Sequence, residues 1–455
     1  MTSCAAPRAD RSATGTSMRR GSCPSLAAPM QTGDGLLVRL RPAGDGLTPA
    51  EMRAIAGAAA RCGSGVIEVT ARGNLQIRGL TPESVPALAE AIGAAEIAIA
   101  EGVAIETPPL AGFDPDEIAD PRPLARALRV AISGAGEALR LAPKLSIVVD
   151  GGGRFHLGSL TADLRVSALA HEGGVRWLFS LGGTARSAKP VALLESKDIV
   201  PMVLEILGDL TARGPASRAR ELDADLLRQR AAAGDALPRV DGPVFSPPPA
   251  GIHHFGGAGT VLGIGLAFAQ TDAGSLVAFL RQAEELGANE IRLAPPHGLF
   301  VLGLSGETAA VAQRLASAHG FLVASGDPRN HIATCAGLAC ASARMDTKAM
   351  ARLLLEAAPD LLDGSATVHL SGCPKGCASP TASPLTLVGA PSGYALVVNG
   401  TASVAPSAYR DENGIGSAFG ALNALVRENK DAGESALSCL TRLGTARIAA
   451  AFEQG

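Results

Sequence analysis

The sequence predicts an α+β fold: a duplicated β-α-β-β unit whose two copies pack pseudo-symmetrically, with a larger α+β body after each. Two observations carry this. Apolar runs of strand period and helix period succeed one another in the order β-α-β-β, and that order returns about 224 residues later. A third sets the scale: 455 residues correspond to roughly three domains. With 47% hydrophobic and 18% charged residues, the chain can build sizeable cores, and wholesale disorder is excluded.

Residues 1–30 read as a flexible leader. They carry Arg8, Arg11, Arg19 and Arg20 without an apolar h-region, so no secretion is expected. Met18 is a candidate start. The first unit, 31–100, opens on the strand Gly35-Leu36-Leu37-Val38-Arg39-Leu40. Met52, Ile55, Ala56 and Ala59 then mark an amphipathic helix that Gly63 ends, followed by strands at Val66–Val69 and Leu75–Leu80. The second unit, 253–322, repeats this with Gly263–Phe268, a helix bearing Leu276, Phe279, Leu280 and Ala283, a stop at Gly287, and strands at Glu290–Leu293 and Leu299–Leu304. Glu68 and Glu290 are expected in equivalent places, as are Gly79 and Gly303. One such unit cannot bury both faces of its sheet alone, which is why the copies should pack together.

The first body, 103–239, has strands at Lys144–Val149 and near Trp177–Phe179. The second, 324–455, has strands at Thr367–Leu370 and Tyr394–Val398. A Pro-rich stretch at 240–252 reads as the linker between the halves.

Charge and composition exclude several functions. The net charge of −3 gives no global field for nucleic acid or anionic membrane, and 3% aromatics argues against stacking platforms for single strands. No window reaches the ~20 apolar residues that a spanning helix needs. A cytoplasmic protein with no nucleic-acid or membrane partner is expected, and any anionic ligand must be held by a local basic pocket.

The eight cysteines are the sharpest signal. Cys62 and Cys439 lie on apolar helical patterns and read as packing residues; Cys4 and Cys23 lie in the leader. The remaining four form two tight pairs, Cys335/Cys340 and Cys373/Cys377. In a long chain without a secretory signal, such pairs point to a metal. Four thiolates on two loops can enclose a [4Fe–4S] cube, with backbone N–H groups bonding to sulfur, and the helix after Cys340 would ease its charge. Tetrahedral zinc is the alternative, although its knuckles are usually tighter.

These loops carry a resemblance. His369-Leu-Ser-Gly-Cys-Pro-Lys-Gly-Cys-Ala-Ser-Pro380 resembles the second cluster-binding signature of the sulfite/nitrite reductase superfamily, and Thr334 through Cys340 resembles the first. Thr70-Ala-Arg72-Gly-Asn-Leu-Gln-Ile-Arg78 is similar to its Thr-x-Arg segment, and Leu141-Ala-Pro-Lys144-Leu to its Pro/Lys strand. Within that superfamily, Arg19-Arg20-Gly-Ser-Cys23-Pro24, the stretch from Pro29 to Arg39, and Lys375 resemble the precorrin-3B synthase family of aerobic cobalamin biosynthesis. The first cysteine pair departs from the superfamily pattern by one residue fewer between its thiols. Ser146 stands where sirohaem reductases usually carry a second Lys.

The resemblance implies a sulfite/nitrite reductase-like fold with two ferredoxin-like half-domains and two larger α+β domains. It implies a tetrapyrrole substrate, precorrin-3A, whose acetates and propionates call for dispersed cations. Arg72, Arg78, Lys144 and Lys375 are the candidates, with Arg39 and Arg154 behind them. Each also admits a plain reading as surface charge; Arg78, for instance, alternates with Ile77 and would then face water. The implied reaction is an O₂-dependent monooxygenation at C20 with closure of a ring A acetate γ-lactone. The implied cofactors are the [4Fe–4S] cluster on Cys335, Cys340, Cys373 and Cys377, a mononuclear non-haem iron, and NADH acting through a separate electron-donating reductase, since no nucleotide-binding Gly turn is present. His156, His297, His331 and His369 are possible iron ligands, but no 2-His-1-carboxylate spacing is legible, and no catalytic residue is identified. A sirohaem-dependent sulfite or nitrite reductase and a non-catalytic Cys4 metal-stabilised protein remain as alternatives.

Overall fold

The computed structural model describes residues 24–231, 237–238, 246–379 and 381–455. Most of the leader, with Cys4, Met18, its four arginines and Cys23, lies outside the described residues, as does the linker up to 245.

The first unit comprises β1 (Met30–Thr32), β2 (Gly35–Leu40), α1 (Pro49–Cys62), β3 (Val66–Val69), β4 (Leu75–Leu80) and α2 (Ser84–Ala94). The first body comprises β5 (Ala104–Glu106), α3 (Arg122–Ala135), β6 (Ser146–Asp150), β7 (Leu164–His171), β8 (Gly174–Leu181), β9 (Lys189–Leu194), α4 (Ser196–Arg213) and α5 (Ala224–Arg230). In the second unit are β10 (Gly251–His254), β11 (Thr260–Gly265), β12 (Gln270–Asp272), α6 (Ala273–Glu285), β13 (Glu290–Ala294), β14 (Gly298–Leu302) and α7 (Gly306–Ala318). The second body holds β15 (Ile332–Thr334), α8 (Thr347–Ala357), β16 (Val368–Ser371), β17 (Ser383–Ala390), β18 (Gly393–Gly400), β19 (Ala408–Arg410), α9 (Ile415–Asn429) and α10 (Ala436–Gln454).

The duplication extends to the details of chain entry and pairing. Thr48 caps α1 in a capping box with Glu51, and Asp272 caps α6 at the same place. The two helices pack on each other, and Met52, Ile55, Ala59, Leu276, Phe279 and Leu280 share one core with residues of both sheets. Each unit also lends an edge to the other. β12 pairs antiparallel with β3, Thr271 opposite Ile67, while Leu47 bridges Ile291 of β13. Half-units joined in this way hide sheet edges that would otherwise stay open.

The ladder corrects one expected equivalence. Ile67 lies opposite Ile77, and Ile291 opposite Val301. Glu68 therefore corresponds to Arg292, not to Glu290. Two strand limits also differ from expectation. β11 ends at Gly265, because Phe268 and Ala269 take left-handed φ values of 57° and 67° and turn the chain out of the sheet. β6 starts at Ser146, because Lys144 has φ 65° and sits in the turn before it.

The two bodies share one topology. Their sheets run β5-β6-β7-β8-β9 and β15-β16-β17-β18-β19. In each, the first three strands are parallel and the rest antiparallel. A parallel step leaves a loop at the C-terminal end of a strand, so each body has two such loops side by side. Both cysteine pairs occupy these loops in the second body.

Candidate functional site

Cys335 follows β15 and Cys373 follows β16, adjacent parallel strands with Thr334 opposite Leu370. That pairing brings two loops distant in sequence to one corner. The Gly372 N–H donates to Cys335 Sγ at 3.2 Å, and the Arg344 N–H donates to the Gly372 carbonyl at 2.7 Å. Lys375 Nζ, between the second pair of thiols, donates to Ser342 Oγ at 2.9 Å and ties the loops together. Gly376 supplies the tight turn with φ 61°. Cys335, Cys340 and Cys373 are half-buried and Cys377 reaches solvent, and none is in a disulfide. Packing around its sulfur pushes the Cys377 thiol up, and Cys335, Cys373 and Cys340 act in the same direction. All four sulfurs thus share one electrostatic neighbourhood.

The helix after Cys340 does not turn its N-terminus to the thiols unopposed. α8 starts at Thr347, and its first N–H groups are taken by the Asp346 carboxylate. Thr347 instead clamps the Cys335 carbonyl at 2.8 Å. The positive charge at the corner comes from side chains that the sequence reading missed or placed elsewhere. Lys348, on α8, donates to the Phe268 carbonyl at 2.5 Å and to Thr334 Oγ1 at 2.6 Å. Burial pushes its ammonium down to about 8, against the pull of Glu68 and Cys335.

Arg78 does not face water; it is 3% exposed. It pairs with Asp34 at 3.0 Å and with Glu68 at 3.6 Å, and donates to the Ala339 carbonyl, inside the first cysteine loop, at 2.7 Å. Burial pulls down the pKa of its guanidinium, but Asp34 and Glu68 outweigh this and hold it above its ordinary value. Gln76 donates to Glu68, and Arg39 donates to Gln76 at 2.9 Å. Strand alternation is the signal that finds this set: Arg39, Glu68, Gln76 and Arg78 stand on one sheet face, opposite the core residues Val38, Ile67, Leu75 and Ile77. The turn between β1 and β2 touches the same loop. A side chain at Gly33 would meet the Cys340–Ala341 backbone at 3.0–3.1 Å.

The other expected cations sit elsewhere. Arg72 forms a two-pronged pair with Glu106, at 2.6 and 2.8 Å, and donates to the Thr161 carbonyl. It lines a cleft between the first unit and first body that also contains Arg41, Asn74, Glu101 and Arg129. Lys144 is exposed. Arg154 lies over the Phe255 ring, 4.4 Å from its centroid.

The four histidines occupy separate settings. His156 accepts from the Gly158 N–H, His297 engages the Val69 carbonyl, His331 lies beside Gly364, and His369 is buried beneath the second cysteine loop. Among the described residues, no three His, Cys, Asp or Glu side chains close to the spacing of a single ion. For a mononuclear iron this leaves no fitting ligand set. The four thiols on adjacent loops are a donor set that either a [4Fe–4S] cluster or a zinc ion takes.

Comparison with known proteins places the chain. Residues 28–95 match the nitrite/sulfite reductase ferredoxin-like half domain. The chain is 60% identical over 456 aligned positions to a precorrin-3B synthase from Sinorhizobium sp, covering 100% of this chain and 99% of that one. It is 26% identical to the chloroplastic ferredoxin–nitrite reductase of Zea mays, over 69% of this chain and 62% of that one. The structure of the Mycobacterium tuberculosis NirA protein superposes with a TM-score of 0.71 at 16% identity, over 91% of this chain and 84% of that one. The fold is that of the sulfite/nitrite reductases, and at this identity over its full length the chain belongs to the precorrin-3B synthase family.

Proposed function

We propose that this protein is a precorrin-3B synthase: it uses O₂ to hydroxylate precorrin-3A at C20, and the ring A acetate closes onto the ring as a γ-lactone. The observation that carries the reading is the full-length identity to the Sinorhizobium enzyme. The paired cysteine loops support it independently. Cys335, Cys340, Cys373 and Cys377 would hold a [4Fe–4S] cluster, which supplies single electrons when bound. NADH would be the electron source through a separate reductase. The mononuclear iron that the resemblance implies finds no ligand set among the described residues.

The chain's own residues supply binding and positioning. Arg72, held in line by Glu106, offers a planar guanidinium to a substrate carboxylate. Lys144 and Lys375 are exposed point charges that suit flexible propionates. Arg78 is committed to Asp34, Glu68 and the Ala339 carbonyl. Its role in this reading is to fix the Cys340 loop against the first unit, and contact with substrate is secondary.

A sirohaem reductase is the second reading, favoured by the likeness to plant nitrite reductase. One experiment separates them. Protein purified anaerobically is given precorrin-3A, reductant and O₂, and oxygen uptake and product mass are followed. Uptake with gain of one oxygen atom supports the synthase. Bound sirohaem, with sulfite or nitrite reduction and no uptake, overturns it.

A further inference from the structure

His369 is 0% exposed, and among the described residues neither Nδ1 nor Nε2 has a hydrogen-bond partner. A neutral imidazole carries one N–H donor and one acceptor, and leaving a buried donor unmet is costly. An apolar residue would avoid that cost. Val368 and Leu370, its neighbours on β16, do so on the face covered by α8, α9 and α10. His369 points to the opposite face, where the second cysteine loop folds back over the sheet. A Cβ at Gly376, between Lys375 and Cys377, would lie 3.7 Å from His369 Cε1. Across the ladder, Thr386 Oγ1 donates to the Gly400 carbonyl and makes no hydrogen bond with the ring. With burial pushing its pKa down to about 4, the ring is neutral at physiological pH.

We infer that the unmet N–H of His369 is reserved for sulfur: it donates a hydrogen bond to a sulfide of the cluster. This rests on the reading that the four cysteines hold a cluster. It assigns His369 to the cluster as a positioning residue and removes it from the candidates for a mononuclear iron. A hydrogen bond to sulfur stabilises the more negatively charged, reduced state, so it raises the reduction potential.

The test uses the full-length, cluster-loaded protein and needs no turnover. Midpoint potentials are measured by redox titration monitored by EPR for wild type, His369→Leu and His369→Gln, with iron and sulfide determined on each sample. The expected result is a shift to more negative potential in the Leu variant, with part of it restored by the Gln amide. In parallel, wild-type protein labelled with ¹⁵N only at histidine is examined by pulsed EPR of the reduced cluster. A histidine nitrogen coupling that disappears in His369→Gln is expected, and this arm stands if the Leu variant fails to assemble. Equal potentials in a loaded Leu variant, or no histidine coupling in the loaded wild type, would overturn the inference. Wild type without iron and sulfide would instead overturn the cluster reading beneath it.

Discussion

In the first unit the sheet face turned away from the shared core carries Arg39, Glu68, Gln76 and Arg78. In the second unit the positions in the same register carry Gly263, Arg292, Phe300 and Leu302. The backbone is one design; the two faces are not. Phe300 and Leu302 pack with Leu110, Phe155 and Phe255, and Arg292 caps the Pro109 and Ala111 carbonyls, so this face binds the first body as an ordinary core does. The polar face abuts the cysteine corner of the second body, where buried charge is tolerated only because each partner is matched. The bodies differ in the same way. The loops after β15 and β16 carry thiols, whereas those after β5 and β6 carry Asp114, Glu117, Asp120 and the glycines 151–153. One half of a duplicated protein carries four thiols at this corner; its twin carries carboxylates and glycines there.

The largest test of that contrast sets one thiol against another. Cys373→Ser should lose cluster and turnover together, because a hydroxyl is a poor ligand for a soft metal, whereas Cys439→Ser, in the helical core, should keep its iron. Retained iron and activity in Cys373→Ser would break the ligand assignment.

Next come the two sheet faces. Arg78→Ala leaves Glu68 and Asp34 without their partner and should cost roughly 3–5 kcal/mol, with cluster content falling as the Cys340 loop loosens. Phe300→Ala should cost a similar ~3–5 kcal/mol as a core cavity, yet leave iron per folded chain unchanged. Urea denaturation with iron analysis distinguishes them, and equal iron loss in both would erase the contrast.

Arg72→Ala should weaken precorrin-3A binding by ~1.5–3 kcal/mol, the range for a hydrogen bond to a charged group, at full cluster content. Unaltered affinity in a binding titration would leave Arg72 as a structural partner of Glu106 and the Thr161 carbonyl.

The smallest effect concerns the corner without thiols. Burial pushes the Glu117 carboxyl up from 4.5 to about 7. Between those values the folded protein keeps a proton that the unfolded chain has released, so this residue's contribution to stability falls as pH rises through the window. Glu117→Gln should therefore gain stability relative to wild type between pH ~4.5 and ~7. Denaturation midpoints that shift in parallel for both proteins would refute it.

Much of this was legible in the sequence, for physical reasons. Hydrophobic period and repeated order exposed the paired units, because both are fixed by which residues must be buried. Cysteine spacing exposed the thiol corner, because each pair sits on one short loop. The plain reading of Arg78 as open to water fails because alternation names a face without saying what covers it, and what covers it is a loop about 260 residues away. Lys348 escaped for the same reason: a Lys in the first turn of a helix becomes unusual only once burial is known. The sequence offers His369 as a possible iron ligand but does not show that its ring is fully buried. The Glu68–Glu290 equivalence failed because identity of residue type is weaker evidence than ladder register.

The most direct check of the central claim is iron and acid-labile sulfide analysis of anaerobically purified protein, combined with EPR of the reduced sample. Equal iron and sulfide amounting to one cube per chain, lost on replacing Cys377 by Ser, is the predicted result. Zinc in place of iron, or a full cube in the Cys377→Ser protein, would contradict it.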